Sequence, residues 1–318
     1  FNLRQDWDAR VQRLESFKVL DGLEATTFLT AVTLLASYET SKTIKSAVSC
    51  KRKDVLKLPL DSYKAYADRI EKGLVLASRF LAREKVFDSR SLPYSTQLIP
   101  LSAICAVLGD RFDQDAIRNR ISQWLWSGVF GELYGGASET RFAMDLPDVV
   151  AWIDGGEQPR TIRDSSFAPT RLLSLQTRLS AAYKGLMAML MKSGCDDFLS
   201  GDAMEINDYF ELSIDIHHIF PKKYCEDRKI QRKFWNSVVN KTMLSARTNR
   251  IIGGNAPSEY LKKIEVDSSM SSERLDEIVA THQIKPEHLR GDAFQEFILD
   301  RSSDRKSTRL NSSHVSQS

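Results

Sequence analysis

The chain has 318 residues and a formal net charge of +3, with 42% hydrophobic and 27% charged residues. A chain of this length can form about two domains with buried cores, which excludes a peptide hormone, a disulfide-rich mini-protein and a fibrous repeat. The composition is that of an ordinary globular protein, so wholesale disorder is excluded as well.

The sequence predicts neither a membrane span nor secretion. Its most apolar stretches, residues 98–108 and 185–191, are much shorter than the roughly 20 residues of a membrane helix. The chain begins at Phe1 without a methionine or a signal peptide, so we expect it to start inside a longer protein. The four cysteines form no CxxC pair, which indicates reduced thiols and a cytoplasmic location.

Residues 1–200 have the apolar periodicity of successive helices. The spacing over residues 24–39 predicts a largely buried helix with Asp21 as its cap, and Asp61 is predicted to cap a long amphipathic helix. No fixed-period repeat stands out, so we predict an irregular α-helical domain rather than a solenoid. Further helices, separated by Gly and Pro clusters, are predicted at residues 99–108, 113–127, 139–153 and 179–192.

Residues 201–303 have a different pattern. Residues 214–220 form a β-type run that stops at a proline, and residues 241–245 predict a second short strand. One helix is predicted to start at Ala246 and another after Pro257. Two strands followed by a helix are a ββα pattern, so we predict a mainly α protein with a small α+β module as its second domain.

Positive charge is concentrated in this module. Residues 217–263 contain eleven Lys and Arg residues against three Asp and Glu residues, a net charge of +8. The remainder of residues 1–303 is net negative. Such an asymmetry is expected of a surface that faces phosphate groups.

The last fifteen residues have a separate interpretation. Residues 304–314 can be back-translated to a string that resembles a common sequencing-adapter read. We therefore expect residues 304–318 to be a disordered artefact of translated adapter, and we exclude them from fold reasoning. A natural Ser-rich tail is the alternative.

Two of the five histidines are adjacent, at His217 and His218 in the first predicted strand. Neighbouring side chains on a strand point to opposite sides, so one imidazole can bind a metal while the other meets solvent or substrate. The alternative is a buried structural histidine beside an exposed one.

The histidine pair is the first part of a longer pattern, made of residues 217–221, 240–245, 248–250 and 255–260. At these spacings the pattern closely resembles the HNH, or His-Me finger, nuclease motif. Residues 240–260 are similar to the HNH domain of GmrSD-type restriction endonucleases, and more distantly to that of RNA-guided DNA nucleases. Residues 49–53 and 130–136 also look like the middle of GmrSD-type proteins, so the resemblance covers most of residues 1–300.

The resemblance implies a ββα-metal finger that acts as a metal-dependent DNA endonuclease. By match to the motif, His218 is the general base that deprotonates water, a task that suits an imidazole near neutral pH. His217 occupies the position that ligates the divalent metal in this superfamily, and Asn249 supplies a second contact through its amide oxygen. Asn240 is expected to hold the loop that orients His218.

Two protein ligands leave several coordination positions open, which suits Mg²⁺, although an imidazole ligand also admits Mn²⁺, Ni²⁺ or Zn²⁺. Asp215 lies two residues before His217 and so on the same strand face. It is a candidate third ligand or supporting residue, or else a strand-edge charge. The candidate DNA-phosphate contacts are the cations near the motif, Lys222, Lys223, Lys241 and Arg250.

The GmrSD resemblance further implies modification-dependent restriction in bacterial defence against phage, with DNA that carries modified cytosine as a substrate. That family usually has an N-terminal nucleotide-hydrolysing domain with a ParB-like fold. No such motif is found in this sequence, so we expect that domain to be missing, and dependence on a nucleotide stays open.

Two other interpretations are consistent with the same residues. A structural zinc site would use His217 or His218 with Cys225 and another cysteine, at spacings unlike the usual paired motifs. A non-catalytic nucleic-acid-binding or regulatory protein would keep the basic ββα surface without turnover. The intact histidine pair, Asn240 and Asn249 argue for catalysis, since a degenerate site is expected to have lost one of them.

Overall fold

A computed structural model of the chain describes residues 1–136 and 138–303, with residues 207 and 208 described by their backbone alone. The tail interpreted as adapter sequence, residues 304–318, lies outside the described residues. The described chain is mainly helical and contains a small two-stranded antiparallel sheet, which confirms the predicted fold class at this level. No helix in the described part of the chain has the length and hydropathy needed to cross a membrane.

The chain divides into two units, Phe1–Ser166 and Phe167–Ser318. This division falls before the predicted domain boundary at residue 200. Residues 167–200 belong with the second unit because the helix Ala181–Lys192 packs against its second strand, Lys241–Leu244.

The first unit is a set of helices packed around apolar side chains. Its helices are α1 Leu3–Leu14, α2 Ala25–Ile44, α3 Arg52–Val55, α4 Leu60–Arg83, α5 Leu98–Leu108, α6 Asp115–Phe130, α7 Glu139–Ile153 and α8 Arg160–Asp164. Helix α5 is apolar almost throughout and largely buried, and it packs against α2, α4 and α7. The close approach of α4 to α5 requires glycine at Gly73, because a Cβ atom there would lie 2.2 Å from the carbonyl oxygen of Ser102.

The predicted capping residues are wrong, although the two helices exist. Helix α2 begins after Glu24, and Asp21 instead ends the short 3-10 turn Lys18–Leu20. Helix α4 begins after Pro59, whose ring fixes φ near the helical value, so Asp61 lies within the first turn.

The second unit contains the sheet. Its elements are α9 Arg171–Ser174, α10 Ala181–Lys192, α11 Ile206–Glu211, β1 Asp215–His218, α12 Lys222–Asp227, α13 Arg232–Trp235, β2 Lys241–Leu244, α14 Ala246–Ile252, α15 Pro257–Ser268, α16 Ser272–Thr281 and α17 Pro286–Arg290. Residues 294–303 are also helical. Helix α14 follows β2 directly, as predicted, whereas two short helices, α12 and α13, lie between the two strands.

A buried carboxyl group makes the first unit sensitive to pH. The side chain of Asp145 is almost fully buried and accepts hydrogen bonds from the hydroxyl groups of Tyr134 and Thr161, both at 2.5 Å. Burial raises the pKa of Asp145 to about 6 from its ordinary value of 3.8. The stability that this group contributes is therefore fully present below about pH 4 and is lost as the pH rises through about 6.

We expect Asp145→Asn to remove this pH dependence, because the amide stays neutral and keeps an oxygen acceptor. The free energy of unfolding of the wild type should fall relative to the variant by about 3 kcal/mol between pH 4 and pH 7. Urea unfolding of both proteins, followed by tryptophan fluorescence at several pH values, measures this difference. A difference that stays constant with pH would contradict the prediction.

Candidate functional site

The histidine pair lies on the first strand of the two-stranded sheet. Strands β1 and β2 are antiparallel, with His217 opposite Thr242 and His218 opposite Lys241. Both strands are short, so the positions of the two imidazoles depend on the residues that fix the ends of the strands.

The side-chain amide of Asn240, immediately before β2, is held by hydrogen bonds to the backbone and is not exposed to solvent. It is fully buried, its Oδ1 accepts a hydrogen bond from the backbone N–H of Phe220 at 2.9 Å, and its Nδ2 donates to the Phe220 oxygen at 2.9 Å. The same Nδ2 donates to the backbone oxygen of Trp235 at 2.8 Å. The amide thus holds the chain two residues after His218.

A buried arginine holds the backbone on both sides of Asn240. Arg301 is 1% exposed, and its guanidinium donates hydrogen bonds to the carbonyl oxygens of Val239 and Lys241, the residues on either side of Asn240. It also donates to the carbonyl oxygen of His282. Arg301 was not predicted as a site residue, because it lies 61 positions after Asn240 and belongs to no short motif.

Both histidines line a single pocket of about 390 Å³ in the second unit, although neighbouring strand residues were predicted to face opposite sides. Three consecutive residues that line the pocket, Ile216, His217 and His218, belong to β1, so the pocket follows this strand. It is lined by Arg178, Tyr183, Ile216, His217, His218, Pro221, Lys222, Lys223, Lys241, Asn249, Ile252 and Gly253.

The charged side chains that line this pocket are all cationic apart from the titratable imidazoles: Arg178, Lys222, Lys223 and Lys241. Carboxylates are absent from the lining residues of the described chain. A concave site with this charge attracts anions, and the phosphate groups of a nucleic acid backbone are anions of suitable size.

The imidazole nitrogens have unused bonding capacity. The Nε2 atoms of His217 and His218 are buried and form no hydrogen bond with any described residue. Burial lowers the pKa of His217, and burial together with the nearby charge of Lys241 lowers the pKa of His218 to about 4. Both rings are therefore neutral near pH 7, so each keeps a lone pair for a metal ion or a proton.

This donor set fits a divalent metal bound through few protein ligands. A neutral imidazole with an orphaned buried nitrogen, His217, shares the pocket with the amide of Asn249. The described residues contain no cluster of three or more His, Cys, Asp or Glu side chains placed around a common ion position. A metal held by His217 and Asn249 would keep several positions for water and phosphate oxygens.

The carboxylate of Asp215, a candidate third ligand, is engaged elsewhere. Its two oxygens accept hydrogen bonds from Nη1 of Arg178 at 2.7 and 2.9 Å, and its Oδ1 also accepts from the backbone N–H of Ile216 at 2.7 Å. Arg178 lies 37 residues upstream of the strand and was not predicted as a site residue.

A buried carboxylate, that of Asp197, fixes the helix that carries Asn249. Ser245 caps α14 by accepting a hydrogen bond from the backbone N–H of Thr248. Asp197, 2% exposed, accepts from the backbone N–H of Ser245 at 2.7 Å and from the hydroxyl of Thr248 at 2.6 Å. Asp197 therefore sets the position of the first turn of α14, a role with no signal in the local sequence.

The four cations predicted to contact DNA are in different environments. Lys222 and Lys223 are exposed and line the pocket, and Arg250 is exposed but does not line it. Lys241 is only 7% exposed, and its Nζ donates to the carbonyl oxygen of Gln176 at 3.2 Å and to the side chain of Asn236 at 3.0 Å.

Lys241 differs from the other cations of this module, because the other ten Lys and Arg residues between positions 217 and 263 are exposed. Burial, followed by the charge of Arg178, lowers the pKa of Lys241 to about 8. The exposed cations carry the basic surface, whereas Lys241 contributes its charge from inside the pocket wall.

Cys225, the cysteine named for the alternative zinc site, lies in the second unit. It is buried, its thiol contacts the carbonyl oxygen of Phe220 at 3.7 Å, and burial raises its pKa to about 12. All four cysteines are buried, and none forms a disulfide bond with a described residue.

No protein-family model matches the sequence. The chain is 29% identical over 188 residues to Uncharacterized protein MJ0686 of Methanocaldococcus jannaschii, a match that covers 57% of this chain and 31% of that protein. The chain thus spans about a third of the length of this relative, whose name states no activity. The chemistry of the site is therefore inferred from its geometry.

Proposed function

We propose that the protein is a metal-dependent endonuclease of the HNH type that hydrolyses phosphodiester bonds in DNA. The observation that carries this proposal is the pair of neutral imidazoles whose buried Nε2 atoms lack partners in a pocket lined by cations. A structural histidine pair would be expected to have its nitrogens hydrogen-bonded, as buried polar atoms usually are. The unused nitrogens support a role toward a bound ion and a reacting water.

The mechanism assigns tasks to five residues of the pocket. His218 accepts the proton of the attacking water, for which a neutral ring is required. His217 and Asn249 hold the divalent metal, which when bound supplies positive charge to the phosphoryl oxygens and to the departing oxygen. Lys222 and Lys223, at the exposed side of the pocket, attract the DNA backbone.

DNA is the proposed substrate because the exposed cations around the pocket favour a polyanion. The resemblance to GmrSD-type enzymes makes DNA with modified cytosine the first substrate to test, with a defence role against phage. A non-catalytic nucleic-acid-binding protein with the same surface is the competing function, and it differs only in turnover.

The decisive experiment incubates the purified chain with plain, hydroxymethylated and glucosylated DNA. Each reaction is run with EDTA, Mg²⁺ or Mn²⁺, and with or without nucleotide. The control is the double variant His217→Ala, His218→Ala, prepared in parallel to exclude contaminating nuclease. Metal-dependent cleavage by the wild type alone supports the proposal, whereas binding without cleavage under every condition indicates the non-catalytic function.

We expect His217→Ala and Asn249→Ala to weaken metal binding, because each removes one of few protein ligands. The loss in Mn²⁺ affinity should be at least about tenfold, and cleavage should partly recover at high Mn²⁺ concentration. Isothermal titration with Mn²⁺ measures the affinity. Asn255→Ala is the matched control, because Asn255 does not line the pocket, and wild-type affinity in both pocket variants would contradict the assignment.

A further inference from the structure

The guanidinium of the pocket cation Arg178 is held by contacts with Asp215 and with the backbone of Ile216. Its Nη1 contacts both carboxylate oxygens of Asp215, and its Nη2 donates to the carbonyl oxygen of Ile216 at 3.1 Å. Its side chain is nevertheless 57% exposed, and the residue lines the pocket with the two histidines.

The register of the sheet explains this arrangement. The backbone N–H of Ile219 donates to the oxygen of Asn240, and the hydrogen-bonding direction alternates along an antiparallel strand. The backbone groups of Ile216 therefore face away from β2. The N–H of Ile216 is satisfied by Asp215 and its carbonyl oxygen by Arg178, so the pair covers the free edge of β1 and fixes the plane of the guanidinium.

The guanidinium still has capacity for another anion. A guanidinium has five N–H donors in a planar fork, and Nε of Arg178 makes no hydrogen bond with any described residue. The Arg178–Asp215 pair is exposed, and such pairs are weak because water screens them. A phosphate group that enters the pocket can therefore bind the remaining N–H groups of the guanidinium while Asp215 keeps its orientation.

We propose that Arg178 is a phosphate-binding residue of this pocket and that Asp215 positions its guanidinium instead of ligating the metal. The inference rests on the proposed function and adds a residue outside the HNH motif. Because Arg178 lies in the segment before α10, the proposal gives this segment a direct contact with the DNA backbone. The bidentate fork suits a phosphate that must be held in one orientation beside His218.

The test measures DNA affinity in EDTA, so that it does not depend on cleavage. Fluorescence anisotropy with two unrelated labelled duplexes gives the slope of log affinity against log salt concentration. Arg178→Ala should lower this slope by about one unit on both duplexes, because one phosphate contact is lost. Arg274→Ala is the matched control, since Arg274 is similarly exposed, at 53%, and paired with Glu277, but does not line the pocket.

Asp215→Asn separates the two roles of that carboxylate. If Asp215 positions Arg178, the affinity for Mn²⁺ alone stays at the wild-type value while DNA binding weakens. Circular dichroism and thermal melting confirm that each variant is folded. An unchanged slope in Arg178→Ala, an equal loss in Arg274→Ala, or a loss of Mn²⁺ affinity of about tenfold in Asp215→Asn would overturn the inference.

Failure of the proposed function gives a different result. If the wild type binds DNA but cuts none, the proposed function fails and the salt slopes still decide whether Arg178 contacts phosphate. A wild type that binds neither duplex overturns both proposals.

Discussion

His218→Ala is expected to reduce DNA cleavage by at least about 100-fold, the lower limit of what a positioned general base usually contributes. The Nε2 of His218 is buried in the pocket with no partner among the described residues, so its loss removes a proton acceptor and no internal hydrogen bond of that atom. The ring also lies 5.7 Å from the ring of Trp235, and the lost packing should destabilise the fold by about 1 kcal/mol. DNA affinity in EDTA should be nearly unchanged.

Single-turnover cleavage with Mg²⁺ or Mn²⁺ measures this effect, with His288→Ala as the matched control. His288 lies in the same unit but outside the pocket, and its Nε2 is paired with Asp300 at 2.6 Å. Added imidazole should partly restore cleavage by His218→Ala, which a purely structural role would not explain. Wild-type cleavage by the variant, in a preparation free of contaminating nuclease, would exclude His218 as the base.

Asn240→Ala is expected to lower both stability and activity. The substitution leaves three buried backbone groups without their partner, the N–H and C=O of Phe220 and the C=O of Trp235. Since each buried unsatisfied group costs about 1–3 kcal/mol, with partial compensation by water, we expect a loss of about 3–5 kcal/mol. Cleavage should fall even at temperatures where the variant is folded, because the chain after His218 is no longer fixed.

Urea unfolding and cleavage assays below the melting temperature separate the two effects. Asn255→Ala is a matched control, because Asn255 donates from Nδ2 to the Ile252 oxygen at 3.1 Å and is only partly buried. Asn255→Ala should lower the free energy of unfolding by about 1 kcal/mol and leave cleavage normal. An Asn240→Ala variant with wild-type stability would show that the amide does not hold this loop.

Elements with strong local signals could be predicted from the sequence. Helix α7 has the predicted bounds, and α5 begins one residue before its predicted start, because an uninterrupted helical periodicity is a local property. Strands β1 and β2 and the start of α14 were also predicted. The caps of α2 and α4 were not predicted correctly. The 3-10 turn before α2 ends at Asp21, and α4 begins after Pro59, so neither nearby aspartate takes the cap position.

The candidate site likewise has residues that could be predicted from the sequence and an environment that could not. His217, His218, Asn240 and Asn249 lie within a span of 33 residues, so their spacing could be recognised in the sequence as a pattern. That they serve a nuclease remains the proposal to be tested. Their chemical environment could not be predicted from spacing, because burial and orphaned nitrogens depend on the residues packed around them.

The surroundings of the site depend on contacts between distant segments. Arg178, Asp197 and Arg301 contact β1, α14 and β2 from 38, 51 and 60 residues away, and none belongs to a recognisable motif. Lys241 was predicted to contact DNA phosphate but is enclosed by neighbouring residues, including Gln176. Local periodicity and motif spacing fix the elements and the reactive residue types, whereas the solvation and hydrogen bonding that tune those residues arise only when remote side chains are packed around them.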